Sequence, residues 1–150
     1  MTTLLEKITD QARALAVRSP WIYRINAGSC NGCDVECATT ALIPRYDVER
    51  LGCQYCGSPR HADIVLITGP LTTRVKEDVL RVFAEIPDPK VTVAVGVCPI
   101  SGGIFRDGYA VNAPIDKYLP VDINVPGCPP RPQAIIEGIA QAIAIWRERL

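Results

Sequence analysis

Seven cysteines are spread over 150 residues that hold a single histidine, and their spacing is the chemistry-bearing feature of the sequence. Cys30 and Cys33 form a Cys-x2-Cys pair, Cys98 follows after 64 residues and Cys128 after another 29. Cys37 and a second pair, Cys53-x2-Cys56, complete the set. An odd number of thiols excludes full intramolecular disulfide pairing, and in a cytosolic chain thiols serve as metal ligands, catalytic groups or core residues. The lone His61 removes most zinc-enzyme and nucleophile–histidine arrangements.

The elements that carry these thiols alternate between strand and helix. Trp21 to Asn26 has β-branched and aromatic character and predicts a strand, followed by the Gly-rich stretch Ala27 to Cys33. A helix is expected from Asp34 to Leu42, ended by Pro44, and a second short strand from Tyr46 to Leu51. Ala62 to Thr68 and Val91 to Val97 are continuous apolar runs, the mark of strands buried on both faces. Between them, Thr72 or Thr73 caps an expected helix with the stripe Val75, Val79, Val82, Phe83 and Ile86. Val121 to Val125 predicts the last strand, and Pro132 suits the first turn of a final helix. This alternation predicts an α/β domain, a flavodoxin-like doubly wound parallel sheet of order 2-1-3-4-5. Residues 1–20 are expected to form an N-terminal helical arm, with Leu4, Leu5, Ile8, Ala12, Leu15 and Ala16 on one stripe, and residues 21–150 a single domain.

Ligand sites of open parallel sheets lie beyond the carboxyl ends of the strands. Cys30 and Cys33 follow the first strand, Cys98 the fourth and Cys128 the fifth, so this topology brings four sequence-distant thiols to one edge. Four thiolates at one locus mean zinc or an iron–sulfur cluster. The flanks favour iron–sulfur. Cys98 and Cys128 each precede a proline, which forces an extended, rigid approach. Gly28, Gly32 and Gly127 leave backbone N–H groups free to come close.

Composition narrows the classes further. Lys+Arg and Asp+Glu number 16 each, so the chain lacks the basic excess of a nucleic-acid footprint. Gly28 to Cys33 is neither GxGxxG nor a Walker loop, which argues against a nucleotide. No apolar run reaches the roughly 20 residues of a membrane span. The first residues carry Glu6, Lys7, Asp10 and Arg13 and do not read as a secretory signal.

Several segments together resemble the small subunit of membrane-bound energy-converting (group 4) nickel–iron hydrogenases, within the superfamily of the 20 kDa subunit of complex I. They are Gly28-Ser29-Cys30-Asn31-Gly32-Cys33-Asp34-Val35-Glu36, Tyr46 to Arg50, Ser58 to Asp63, Thr68 to Thr72 and Val125 to Pro130. The resemblance runs from Ser19 to Trp146. It implies one 4Fe–4S cluster, the one proximal to the large subunit's active site, on Cys30, Cys33, Cys98 and Cys128. It implies a chain that passes electrons between a ferredoxin-like iron–sulfur subunit and the [NiFe] large subunit, beside ion-translocating membrane subunits, on the cytoplasmic side of the membrane. Such a chain belongs to an oxidoreductase without holding a complete active site of its own. The complex I branch carries vicinal cysteines, whereas here the pair is Cys-x2-Cys, the hydrogenase form. The alternatives are a complex I-like quinone oxidoreductase subunit and a zinc-stabilised interaction module.

Other residues invite a role. Glu36, one turn beyond Cys33, is a candidate proton relay, against the reading of a solvated carboxylate near a helix N-terminus. Cys53 and Cys56 have the spacing of a second thiol site, against incidental thiols. Cys37 reads as a packing residue, His61 as a structural hydrogen-bonding group, and Arg60, Arg74 and Arg106 as surface charges.

Overall fold

Five strands, all parallel, form one sheet in the order β2-β1-β3-β4-β5. The computed structural model describes residues 7–8 and 19–150, so the expected N-terminal arm lies almost entirely outside the described residues. The strands are β1 (Trp21–Asn26), β2 (Gln54–Tyr55), β3 (Ile64–Thr68), β4 (Val91–Val95) and β5 (Ile123–Val125). The helices are α1 (Gly32–Leu42), α2 (Lys76–Ala84), α3 (Val97–Ser101) and α4 (Pro132–Arg149). This is the doubly wound flavodoxin-like order that the alternation of elements predicts.

Every residue of β3 and β4 is buried, as their largely apolar runs require of strands covered on both faces, with Thr68 and Thr92 the buried polar exceptions. On one face, Ile22, Leu66 and Val93 pack beneath α1 and α4, whose Cys37, Ile135, Ile139 and Trp146 complete that core. On the other, Ile25, Val65 and Ile67 pack against Val79 and Phe83 of α2 and against Ile115 and Leu119. Close approach decides one position: a Cβ on Gly138 of α4 would stand 2.5 Å from Val125 Cγ2, so glycine lets the helix settle on β5.

The far end of α4 is fastened to the sheet. Trp146 Nε1 donates to Pro89 O at 3.0 Å, and Arg149 donates to Lys90 O at 2.6 Å and to Asp122 Oδ1 at 2.5 Å. Asp122 also accepts from Thr92 N–H at 2.8 Å, which ties the starts of β4 and β5 to the helix.

Three local expectations are corrected. The second strand is Gln54–Tyr55 and not Tyr46 to Leu51, because the Asp47 carboxylate caps Glu49 N–H at 3.0 Å and winds Val48–Leu51 into a 3-10 turn. The second helix starts at Lys76 and not at Thr72 or Thr73. There the backbone is drawn into a bridge, with Thr72 opposite Val111 and Thr73 N–H donating to Ala110 O at 2.8 Å. The fourth strand stops at Val95, where Gly96 at φ 92 turns the chain into α3, so Cys98 lies in a helix and not in a loop. Pro99 fits there because an N–H in the first turn has no helical partner to lose.

Ile139→Ala in the full chain is expected to cost about 2–5 kcal/mol, read from denaturant unfolding, since the side chain is fully buried. Asp122 gives the acid limb. Burial pushes its carboxyl up, but hydrogen bonds from Arg149 and Thr92 N–H, with the Arg149 charge, hold it below the ordinary 3.8. A lowered folded value means stability present above the unfolded value and lost as pH falls through the folded one. Asp122→Asn is therefore expected to remove about 1 kcal/mol at neutral pH and to flatten the loss below pH ~4. An unchanged acid limb would show that the pair contributes nothing.

Candidate functional site

The site is the carboxyl edge of the sheet, where β1, β4 and β5 each hand the chain to a turn that carries cysteine. After β1, Ala27 N–H continues the ladder to Thr68 O at 2.8 Å. The Asn26 side chain then takes over, accepting from Gly28 N–H at 2.9 Å and Ser29 N–H at 2.8 Å. Ser29 Oγ accepts from Asn31 N–H at 2.8 Å, and Asn31 sits in the left-handed region at φ 68 immediately before α1. This chain of local bonds displays Cys30 at the rim and seats Cys33 in the first turn of α1.

The β4 and β5 turns are locked to each other. Gly96 N–H donates to Val125 O at 2.8 Å and Val97 N–H to Gly127 O at 2.9 Å, so the start of α3, which carries Cys98, is fastened to the turn that carries Cys128. Gly96 is required here twice over: its φ is 92, and a Cβ would stand 2.6 Å from Cys33 Sγ. That contact places the Cys33 sulfur against the exit of β4.

The four thiols are within electrostatic reach of one another. Burial, then the neighbouring Cys98, Cys30 and Cys128, push the Cys33 thiol up to about 11. Burial, then Cys128 and Cys30, push Cys98 up as well. Both are only 8 % exposed, whereas Cys30 and Cys128 are exposed at the rim. The topology thus brings Cys30, Cys33, Cys98 and Cys128 to one edge, as their spacing predicts. It does not make them a metal site. Among the described residues no three or more His, Cys, Asp or Glu side chains are grouped so as to hold a metal ion. The expectation of a 4Fe–4S cluster is overturned by that finding, and a zinc site falls with it.

The remaining thiols belong to the interior. Cys37 is fully buried, and burial followed by the Cys33 charge pushes its thiol up to about 12. Cys53 is buried in the core beneath α1 and α4 and donates to Val48 O at 3.3 Å. Cys56 packs against the opposite core and donates to Ser58 O at 3.3 Å. The sheet therefore divides the Cys53-x2-Cys56 pair, and each sulfur has its own carbonyl. Glu36 is half-buried on α1, next to the thiol edge. His61 packs against Trp21 with ring centroids 6.0 Å apart, at the opposite end of β3. Arg60 pairs with Glu85 at 3.4 Å, and Arg106 Nε donates to Ser101 O at 3.4 Å.

Two features of the edge escape sequence reading. One is Asp34, 8 % exposed, whose carboxylate pairs with Arg24 and accepts from Ser29, Thr68 and Asn26. An acid in the first turn of a helix is common enough to pass as a dipole partner, and only the fold brings its donors together. The other is the loop after α3, which leaves Ile104, Phe105 and Tyr109 exposed beside the thiols, Ile104 to 85 %. A cavity of about 230 Å³ lies between this loop and Cys30, lined by Gly28, Pro70, Thr72, Phe105 and Val111. A second, mostly apolar cavity of about 590 Å³ runs down the outer side of α1 from Asn31 past Val35 to Leu42, with Arg24 and Asp34 on its polar wall.

No described helix is long and apolar enough to cross a membrane. The chain is 51% identical over 139 residues to a protein of Pyrococcus furiosus described as a probable membrane-bound hydrogenase subunit mbhJ, covering 93% of this chain and 83% of that one. It is 44% identical to formate hydrogenlyase subunit 7 of Escherichia coli over 89% of this chain, spanning about half, 52%, of that longer protein. Its fold overlays a chain in the structure of the membrane-bound sulfane sulfur reductase, an archaeal respiratory membrane complex, with a TM-score of 0.78 and 36% identity, covering 92% of this chain and 76% of that one. With residues 30–142 matching the family of the NADH ubiquinone oxidoreductase 20 Kd subunit, the chain belongs to that family, a subunit of an oxidoreductase complex and not a complete enzyme.

Proposed function

We propose that this chain is the electron-transfer small subunit of a membrane-bound energy-converting [NiFe] hydrogenase. It docks by its thiol edge on the large catalytic subunit and links that subunit to a ferredoxin-like iron–sulfur subunit. Ion-translocating membrane subunits complete the complex, which holds the chain peripherally on the cytoplasmic side.

The observation that carries the reading is the make-up of the edge. Four thiols from the segments that follow β1, β4 and β5 lie there, and the adjoining loop holds Ile104, Phe105 and Tyr109 out to solvent. Exposed apolar and aromatic side chains grouped on one surface mark a protein–protein contact. Cys30 and Cys128 at the rim would be covered by that contact, while Cys33 and Cys98 lie beneath it. In this reading the four cysteines mark the face that the partner covers. The hydrogenase branch is favoured over a quinone-reducing one by the Cys-x2-Cys pair and by the 51% identity to a hydrogenase subunit.

The test is to purify the tagged chain anaerobically from membranes with whatever accompanies it. Nickel in a co-purifying large subunit and hydrogen evolution from reduced ferredoxin are the expected results. A nickel-free large subunit with sulfur- or quinone-reducing activity would overturn the hydrogenase assignment. For the docking face, Ile104→Glu combined with Tyr109→Glu is expected to lower recovery of the large subunit about tenfold or more. Gln141→Glu, on the exposed side of α4, is expected to leave it unchanged. In the free chain Cys30 and Cys128 should alkylate first at pH 8, whereas the thiols of Cys37 and Cys53, at about 12 and about 11, should resist. Protection of Cys30 and Cys128 within the complex supports the docking face, and equal rates in both states contradict it.

A further inference from the structure

We propose that Asp34 is the positioning residue of the thiol edge: its buried carboxylate fixes the Ser29–Asn31 loop, and with it Cys30, onto the ends of β1 and β3. The proposal rests on the reading of that edge as the electron-transfer face, and its test separates the two.

Asp34 gathers donors from three places. Arg24 and Asn26 come from β1, Ser29 from the turn and Thr68 from the end of β3. Thr68 Oγ1 donates to Oδ1 at 2.9 Å, Asn26 Nδ2 donates to Oδ2 at 3.4 Å, and Ser29 Oγ donates to the same Oδ2. Asn26 and Thr68 are register partners, so one carboxylate bridges the last rung of the β1–β3 ladder. A carboxylate this buried is tolerated only where its lone pairs are filled and its charge is matched, and here both conditions are met.

The consequences of losing it fall unevenly, which is what makes it a positioning group. Arg24 is 39% exposed and can return to water. Thr68 Oγ1 keeps a second acceptor, Ile25 O at 3.4 Å. The Ser29 hydroxyl has no such alternative drawn from the strands. It is also the acceptor for Asn31 N–H, the residue that turns the chain into α1 through a left-handed conformation. Releasing the Ser29 hydroxyl therefore loosens the turn between β1 and α1, which carries Cys30 and is then held by the Asn26 side chain at Gly28 N–H and Ser29 N–H, while the ladder beneath it stays in place.

The experiment compares Asp34→Ala, Asp34→Asn and Ser29→Ala in the complex purified with its partners. It reads amide hydrogen exchange peptide by peptide, subunit stoichiometry and electron-transfer rate. Asp34→Ala and Ser29→Ala are expected to speed exchange at residues 28–31 about tenfold or more, the scale of a lost charge-assisted hydrogen bond. Exchange in β4 and stoichiometry should stay unchanged, and the electron-transfer rate should fall. Asp34→Asn, whose amide oxygen still accepts from Ser29, is expected to restore most of the protection. Exchange that rises evenly across the chain, or a turn that keeps its protection in Ser29→Ala, would overturn the proposal. Ser29→Ala also serves if Asp34→Ala fails to fold, since it leaves the buried ion pair intact. A loosened turn with an unchanged electron-transfer rate supports the positioning role and counts against the electron-transfer reading of the edge.

Discussion

A parallel sheet obliges every strand to end on the same side. Here β1, β3, β4 and β5 are paired in one direction, so the turns that follow them share one edge whatever their separation in sequence. Much of the site follows from that. The β3–β4 pair, buried throughout, supplies a floor on which neither strand can slip, because a shift of one residue would exchange the residues of its two cores. The helix that carries Cys98 and the turn that carries Cys128 are then held in depth by Gly96 N–H and Val97 N–H, bonded to Val125 O and Gly127 O. Asp34 performs the equivalent task on the β1 side. The edge is thus built by backbone and polar contacts under the thiols and not by the thiols themselves.

The parts of the fold readable from sequence were those with a long-range physical reason behind them. Ile64 to Thr68 and Val91 to Val95 are apolar but for Thr68 and Thr92, and every position is buried because both faces are covered. Pro132 at the start of α4 and the stripe through Ile135, Ile139 and Trp146 leave little choice of helix or face. What could not be read was decided by single local bonds. Nothing in Tyr46 to Leu51 announces that Asp47 will cap Glu49 and curl the segment, postponing the strand to Gln54. Gly96 falls inside the expected strand Val91 to Val97, and only the fold shows that it ends the strand with the Cys33 sulfur beside it.

The same distinction governs the cysteines. Their positions after successive strands were enough to place Cys30, Cys33, Cys98 and Cys128 on one edge, because topology sets that much. Spacing carries no information on depth. Cys33 and Cys98 belong to the buried side of the edge and Cys30 and Cys128 to its rim. A metal-binding group depends on the last few ångströms, and there the expectation failed. The Cys53-x2-Cys56 spacing misleads for a related reason: β2 lies between the two residues, and a two-residue strand is enough to send one sulfur to each core.

The fastening of α4 lies at the opposite end of the molecule, where Trp146 and Arg149 grip Pro89, Lys90 and Asp122. Because that clamp and the buried strands hold the fold from below, residues such as Ile104 and Tyr109 bear little weight in it. The loop after α3 therefore carries little of the fold's stability, and a change of side chain at Ile104 or Tyr109 alters the chemistry of this surface while leaving the scaffold beneath it in place.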